Sequence, residues 1–283
     1  SECYFCPGNE HLTPKEIGRV EEKGEWKIRW FPNKFPVLDS KTLLKANKKK
    51  FLSSMSSYGM HEVIAETANH KKQLFDLPVE HIAELLKVYS LRIKALSKLK
   101  NIKYVVVFKN HGKEAGTSLV HSHTQVVAVP KLPSLIEEKL KAVKNFKKCP
   151  YCSIIKTEKS SKRKVFENKS FISFAPYASR FHYELWLFPK KHIKNITEMN
   201  DGEFKDLAII FKKILLKLKK LNCSYNFFLH YAPKGTDLHF HIEFMPRISI
   251  FQSLNSPLSS IMIPIVYASS PVEHPALRIR SSL

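Results

Sequence analysis

The feature that most constrains this chain is that it sets out nearly the same series of landmarks twice. The first half carries Cys3-x-x-Cys6, then Asn33-Lys34-Phe35-Pro36, His61-Glu62-Val63, His70, a Lys-rich helical stretch, an apolar strand over Tyr104–Asn110 and a closing His121-Ser122-His123. The second half carries Cys149-x-x-Cys152, Phe174-Ala175-Pro176-Tyr177, His182-Tyr183-Glu184, His192, another Lys-rich helix, a strand over Tyr225–His230 and His239-Phe240-His241. The order is kept, and most landmarks return about 120 positions later, as two copies of one unit require.

Local patterns give each copy the same plan of strand, helix, strand, loop, strand. Glu62–Glu66 and Glu184–Phe188 mix β-branched and aromatic residues, as strands do. Val79–Leu99 places Ile82, Leu85, Leu86, Tyr89, Ile93 and Leu96 near helical period, and Phe204–Leu221 repeats this with Leu207, Ile210, Phe211, Ile214, Leu215 and Leu218. Pro78 stands just before the first helix, where its missing N–H does no harm. The expected fold is α+β: two tandem units, 1–138 and 139–283, each an antiparallel sheet with helices packed on it. The boundary falls by the basic segment Lys139–Lys148.

Each copy pairs Cys-x-x-Cys with two later histidines. Two thiolates and two imidazoles make a closed tetrahedral zinc site of the structural kind, with no position left for water. Cys3, Cys6, His70 and His121 form the first candidate set; Cys149, Cys152, His192 and His239 form the second. The plain alternative, cysteines as small buried hydrophobes, does not account for histidines at matching offsets. A redox dithiol would not need them. Cys223 has no such partners and reads as a core residue.

The segment from Asn110 to Gln125 carries the candidate chemistry. Strand alternation puts His121, His123 and Gln125 on one face. Anchored beside a metal-bound His121, His123 can face a ligand, and its imidazole is a competent nucleophile toward phosphorus when its other nitrogen is held. Gly116, Thr117 and Ser118 supply backbone N–H groups and hydroxyls suited to phosphate oxygens. The second copy reads His239-Phe240-His241-Ile242-Glu243, with Glu243 in place of Gln125. A carboxylate there repels phosphate, so the second copy is expected to serve structure or substrate positioning.

The charge fits an anionic partner. The chain has 47 Lys and Arg against 25 Asp and Glu, a net +22. That favours nucleotides, sugar phosphates or nucleic acid; a Lys-rich surface of the kind found in heat-adapted proteins is the plain alternative. No stretch reads as a signal peptide or is apolar enough to span a bilayer. The chain begins inside a motif, at Ser1-Glu2-Cys3, so residues upstream are expected to be missing. With 43% apolar residues it can bury a substantial core.

These residues resemble the galactose-1-phosphate uridylyltransferase family of the histidine-triad superfamily. The resemblance runs from Cys3 to Arg247. It is carried by Cys3–Glu10, Trp30–Pro36, Gly59–Val63, Phe108–Asn110, Gly116–Gln125, Cys149–Cys152, Ala175–Tyr177 and Pro189–His192. It implies two tandem histidine-triad-like units, the N-terminal one catalytic. It also implies exchange of UMP between UDP-glucose and galactose 1-phosphate, with His123 as the uridylylated nucleophile and Gln125 as its phosphate-binding partner. By the same resemblance Asn33, Lys34, Asn110, Gly116, Thr117 and Ser118 are substrate contacts, the two zinc sets match, and a cytoplasmic homodimer of galactose metabolism is expected.

The resemblance leaves alternatives open. His121-Ser122-His123-Thr124-Gln125 is equally similar to plant relatives that transfer adenylyl groups, so an adenylyltransferase or phosphorylase acting on ADP-glucose or dinucleoside polyphosphates is the nearest rival. A basic, zinc-stabilised nucleic-acid-binding protein is the rival from another class. Ser249–Leu283 lacks the acidic and glycine pattern of the family's hexose-binding segment, though Pro271–Arg278 resembles a closing helix.

Overall fold

The computed structural model describes residues 3–248. The expectations for Ser249–Leu283 lie outside the described residues. In chain order the strands and helices are β1 (Gly18–Glu22), β2 (Glu25–Pro32), β3 (Ala46–Lys49), β4 (Leu52–Met55), β5 (Met60–Ala65), α1 (Val79–Leu96), β6 (Tyr104–His111) and β7 (His123–Val129). They continue with α2 (Ser134–Lys144), α3 (Pro150–Glu158), β8 (Lys164–Glu167), β9 (Phe171–Phe174), β10 (Leu185–Pro189), α4 (Asp201–Lys220), β11 (Ser224–His230) and β12 (His241–Arg247).

Ten of these strands form one antiparallel sheet in the order β1-β2-β5-β7-β6-β11-β12-β10-β9-β8. Read outward from the centre, β6-β7-β5-β2-β1 on one side answers β11-β12-β10-β9-β8 on the other. The duplication seen in the sequence is thus a five-stranded half repeated about the β6–β11 seam, where Phe108 pairs with Phe228 and Asn110 with Asn226. Joining edge to edge closes the most apolar strand of each half against the other, so neither leaves an open hydrophobic edge. The β3–β4 hairpin stands apart, with Phe51 and Leu52 exposed.

The core follows the sequence periodicity. Tyr104-Val-Val-Val-Phe108 is a β-branched and aromatic run, and all five residues are buried, as a strand covered on both faces requires. Every apolar residue expected on the inner stripes of the two long helices is buried, and α1 and α4 pack on each other and on the sheet. α1 ends at Leu96, short of the expected Leu99. α4 begins at Asp201, before the apolar pattern does, because Asn200 and Glu203 form a reciprocal capping box. Such a cap contributes about 1 kcal/mol. On the opposite face of the first half, Phe5, Trp26, Phe31, Val63 and Ala65 form a second, smaller cluster beneath the candidate site.

Candidate active site and metal centres

The first cysteine pair and its two histidines converge. The ligand atoms of Cys3, Cys6, His70 and His121 all lie within 4.8 Å of one another. Cys3 Sγ is 3.5 Å and Cys6 Sγ 3.7 Å from His121 Nδ1, and Cys6 Sγ is 3.4 Å from His70 Nδ1. Donors on a tetrahedral cation with bonds of about 2.3 Å to sulfur and about 2.1 Å to nitrogen stand roughly 3.5 Å apart. The spacing fits. His121 Nε2 donates to the Thr67 carbonyl at 2.7 Å, which leaves Nδ1 as the coordinating lone pair. The second set repeats the arrangement: Cys152 Sγ is 3.3 Å from His192 Nδ1 and 3.5 Å from His239 Nδ1. Its outer bonds run from His239 Nε2 to the Pro189 carbonyl at 2.9 Å and from His192 Nε2 to Asp237 at 2.8 Å. All five cysteines are free thiols, and Cys223 is half-buried at the edge of the core. Both Cys/His sets can hold a metal ion.

His123 is positioned from both ends. Its Nδ1–H donates to the His121 carbonyl at 2.8 Å, and Nε2 makes no hydrogen bond among the described residues. The Phe5 ring stands edge-on, with centroids 5.6 Å apart. Its own carbonyl accepts from Lys109 Nζ at 2.9 Å. Lys109 is buried, and its counter-charge is the fully buried Glu66 at 2.7 Å. Glu66 also accepts from Ser122 Oγ and Thr124 Oγ1, each at 2.5 Å, and Tyr89 OH lies 2.7 Å from Thr124 Oγ1. Burial, reinforced by the Lys109 ammonium, pushes the His123 pKa down to about 4, so the ring is neutral at pH 7. Burial alone would raise Glu66. The ammonium and the hydroxyl donors outweigh it and hold the carboxyl below its usual range.

The loop between β6 and β7 forms the rim. Gly112 (φ 83°) and Gly116 (φ 81°) occupy backbone regions closed to most side chains, and a Cβ on Gly112 would collide with Ser224. The N–H groups of Gly116 and Thr117 close turns onto Lys113 and Gly112. Of the three backbone donors expected for phosphate, this leaves Ser118's without a partner among the described residues. The Thr117 hydroxyl is buried and unpartnered. β11 braces this loop from the second half. Asn226 Nδ2 donates to Asn110 Oδ1 at 2.7 Å and to the Ala115 carbonyl at 3.0 Å, and Arg247 Nε donates to Asn226 Oδ1 at 2.6 Å.

A cavity of about 230 Å³ opens here. It is walled by Asn110, Thr117, Ser118, His121 and His123 of the expected site, with Gln73, Lys109 and His111 added. Its volume is below the roughly 300–1,000 Å³ of ordinary small-molecule pockets. Asn33 and Gln125 meet through His61, whose Nε2 is 2.9 Å from Gln125 Oε1, and none of the three is among the residues that wall this cavity. Lys34 does not join them: it is exposed, with Nζ 3.4 Å from the Leu12 carbonyl and 5.4 Å from the Tyr4 ring centroid.

The second copy has the same frame with different contents. His241 Nδ1 donates to the His239 carbonyl at 2.8 Å, as His123 does to His121, but its Nε2 is taken by Lys139 Nζ at 2.7 Å. Lys139 also binds Glu243, whose other oxygen takes Arg180 at 2.5 Å. Glu243 is therefore fully buried and neutralised by two cations. His230, His241 and Glu243 lie close enough to ligate a cation, and the Lys139 ammonium supplies that charge.

Glu66, Lys109, Asn226 and Lys139 are the residues that motif spacing did not single out, and His61 was a landmark of the repeat without an assigned role. The signal available for two of them is a charge interrupting an apolar strand, as Lys109 does after Val105–Phe108 and Glu66 after Val63–Ala65.

Comparison with known proteins agrees with this geometry. Residues 1–133 match the model of the galactose-1-phosphate uridyl transferase N-terminal domain, and residues 104–248 that of the C-terminal domain. A galactose-1-phosphate uridylyltransferase from Thermotoga maritima is 32% identical over 260 residues, covering 87% of this chain and 78% of the relative. An ADP-glucose phosphorylase from Arabidopsis thaliana is 32% identical over 265 residues, covering 88% and 74%. The solved structure of an ADP-glucose phosphorylase from Arabidopsis thaliana with bound ADP-glucose superposes with a TM-score of 0.76 at 29% identity, covering 87% of this chain and 81% of that one. A duplicated antiparallel sheet, a histidine with one free nitrogen beside a Cys/His cluster, and two family models that together span all the described residues lead to one conclusion: the chain belongs to the galactose-1-phosphate uridylyltransferase family.

Proposed function

We propose that this nucleotidyltransferase exchanges UMP between UDP-glucose and galactose 1-phosphate through a uridylyl group carried on His123. The observation that carries the reading is the His123 ring itself, with Nδ1–H committed to the His121 carbonyl and Nε2 left without a hydrogen-bond partner among the described residues. In the first step the Nε2 lone pair attacks the α-phosphorus of UDP-glucose. The bond from that phosphorus to the bridging oxygen breaks, and glucose 1-phosphate leaves with the electron pair. In the second step a phosphate oxygen of galactose 1-phosphate attacks the same phosphorus, the N–P bond breaks, and UDP-galactose leaves with His123 neutral again. No proton is gained or lost overall.

The residues present support these steps. As Nε2 bonds to phosphorus the ring becomes cationic, and its Nδ1–H bond to the His121 carbonyl strengthens with the developing charge. The Thr117 and Ser118 hydroxyls, the Ser118 N–H and the Gln125 amide are donors for phosphate oxygens, and Asn110 and Gly116 shape the loop that presents them. Asn33 and Lys34 are proposed as further substrate contacts, as the family resemblance implies. Cys3, Cys6, His70 and His121 hold one zinc, and Cys149, Cys152, His192 and His239 the second. Zinc supplies structural cross-linking there, with all four ligand positions taken by protein. We assign catalysis to residues 1–138 and support to 139–283; the capped His241 and the Asn226 brace favour that division. The exposed Phe35, Phe51 and Leu52 favour a homodimer, and the free cysteines favour the cytoplasm. No helix among the described residues is long and apolar enough to cross a membrane.

The ADP-glucose phosphorylase relative supports a second reading, adenylyl transfer by the same chemistry. Incubation with UDP-glucose or ADP-glucose followed by intact-mass measurement separates the two. A uridylyl adduct lost in His123→Ala supports the first and an adenylyl adduct the second. Absence of both, with salt-dependent binding to DNA, would instead favour a nucleic-acid-binding role.

A further inference from the structure

We infer that His61 is a positioning residue that fixes which end of the Gln125 amide faces the reacting phosphoryl group; this rests on the nucleotidyl-His123 reading above. His61 lies on β5 and Gln125 on β7, in the register that pairs Val63 with Gln125 and His61 with Val127, so the two are diagonal neighbours on one face. His61 is buried.

The tautomer of His61 follows from a group that cannot change its polarity. The backbone N–H of Val37 points at His61 Nδ1 from 3.3 Å, so Nδ1 must accept. A neutral imidazole with Nδ1 accepting carries its proton on Nε2. Burial lowers the ring's affinity for a second proton. Nε2–H therefore donates, and the atom it meets at 2.9 Å is Gln125 Oε1. With its oxygen committed, the Gln125 amide is left with its two N–H donors for a ligand, the polarity that a phosphate oxygen needs.

Asn33 does not compete for this assignment. Its side-chain oxygen accepts from the Phe35 N–H at 2.9 Å, which turns its NH2 toward His61. That nitrogen is 3.4 Å from Nδ1 and 3.1 Å from Nε2. An atom so nearly equidistant from both ring nitrogens lies on neither in-plane lone-pair axis, so it rests against the ring. The chain from the Val37 backbone through His61 to Gln125 thus links the Asn33–Val37 segment to the phosphate end of the site.

The test is single-turnover adduct formation with UDP-glucose and with ADP-glucose, using His61→Phe, His61→Gln and Gln125→Ala. Nucleotide-sugar affinity and zinc content are measured alongside. His61→Phe keeps a ring and removes the donor; the adduct rate is expected to fall on the order of 10- to 100-fold, with affinity changed by less than about threefold. His61→Gln, which can place an N–H near the same point, is expected to recover most of that loss. Adding His61→Phe to Gln125→Ala is expected to cost nothing further, because the amide it orients is gone. The inference is overturned if His61→Phe reacts at the wild-type rate, or if its effect multiplies with that of Gln125→Ala. Should His61→Phe not fold, failure of His61→Gln to depend on Gln125 in the same cycle overturns it equally. A His123→Ala protein that still forms the adduct sinks the underlying reading; one that does not, beside an unaffected His61→Phe, sinks this inference alone.

Discussion

Glu66→Gln tests the buried pair behind the reacting histidine. Glu66 is fully buried and Lys109 is 1% exposed, and their charges meet at 2.7 Å. Ser122 and Thr124 donate to different oxygens of Glu66, so an amide keeps an acceptor for one of them only, and it leaves the Lys109 ammonium in the core without a counter-charge. Breaking one side of such a pair costs about 3–5 kcal/mol. Urea unfolding of the wild type, Glu66→Gln, Lys109→Met and the double variant forms a complete cycle. The double variant is expected to lose less than the two singles added together, with a coupling of at least about 2 kcal/mol. The pH dependence follows from the sign of the shift. The folded-state pKa of Glu66 is depressed, so its stabilisation is present above the unfolded carboxylate pKa and is lost as pH falls through the folded one. The acid limb of stability should therefore flatten in Glu66→Gln. The adduct rate should fall too, since Lys109 holds the His123 carbonyl. A Glu66→Gln loss below about 1 kcal/mol, or strict additivity in the cycle, would mean that the two buried charges do not depend on each other.

Three further outcomes are expected. Metal analysis of the purified protein should find two zinc ions per chain, with Cys3→Ser removing one and a chelator lowering the unfolding temperature. Asn226→Ala frees the Asn110 side chain and leaves the Ala115 carbonyl unpaired, so nucleotide-sugar affinity should weaken by about 1–3 kcal/mol while zinc content, read on the same sample, stays the same. Lys139→Met strands Glu243 with Arg180 alone and should destabilise the fold by roughly 3 kcal/mol in urea titration, with adduct stoichiometry still one per chain and none on His241.

The repeat was legible because its landmarks are residues with few substitutes. Cysteine pairs, HxH segments and their offsets are visible in a single sequence, and they mark both Cys/His sets, whose ligand atoms converge in the fold. The long helices were legible through the spacing of residues such as Ile82 and Leu86. The pairing of β6 with β11 was not, since a strand of valines and phenylalanines is equally compatible with several neighbours. The Lys109–Glu66 pair was hidden because its members lie on different strands and no local pattern links them. Glu243 was expected to repel phosphate from a ligand-facing surface. Its actual partners, Lys139 and Arg180, come from a helix and a loop far away in sequence. Strand alternation puts Gln125 on the His123 face of its strand, but what orients its amide depends on a backbone N–H at Val37 that no sequence pattern marks.

The most direct measurement is to react the protein with UDP-glucose alone, map the modified peptide and quantify the free glucose 1-phosphate. A uridylyl group bonded to Nε2 of His123 is expected, with one glucose 1-phosphate released per adduct, before any acceptor is added. Modification of a different residue, or release that begins only when galactose 1-phosphate is present, would contradict it.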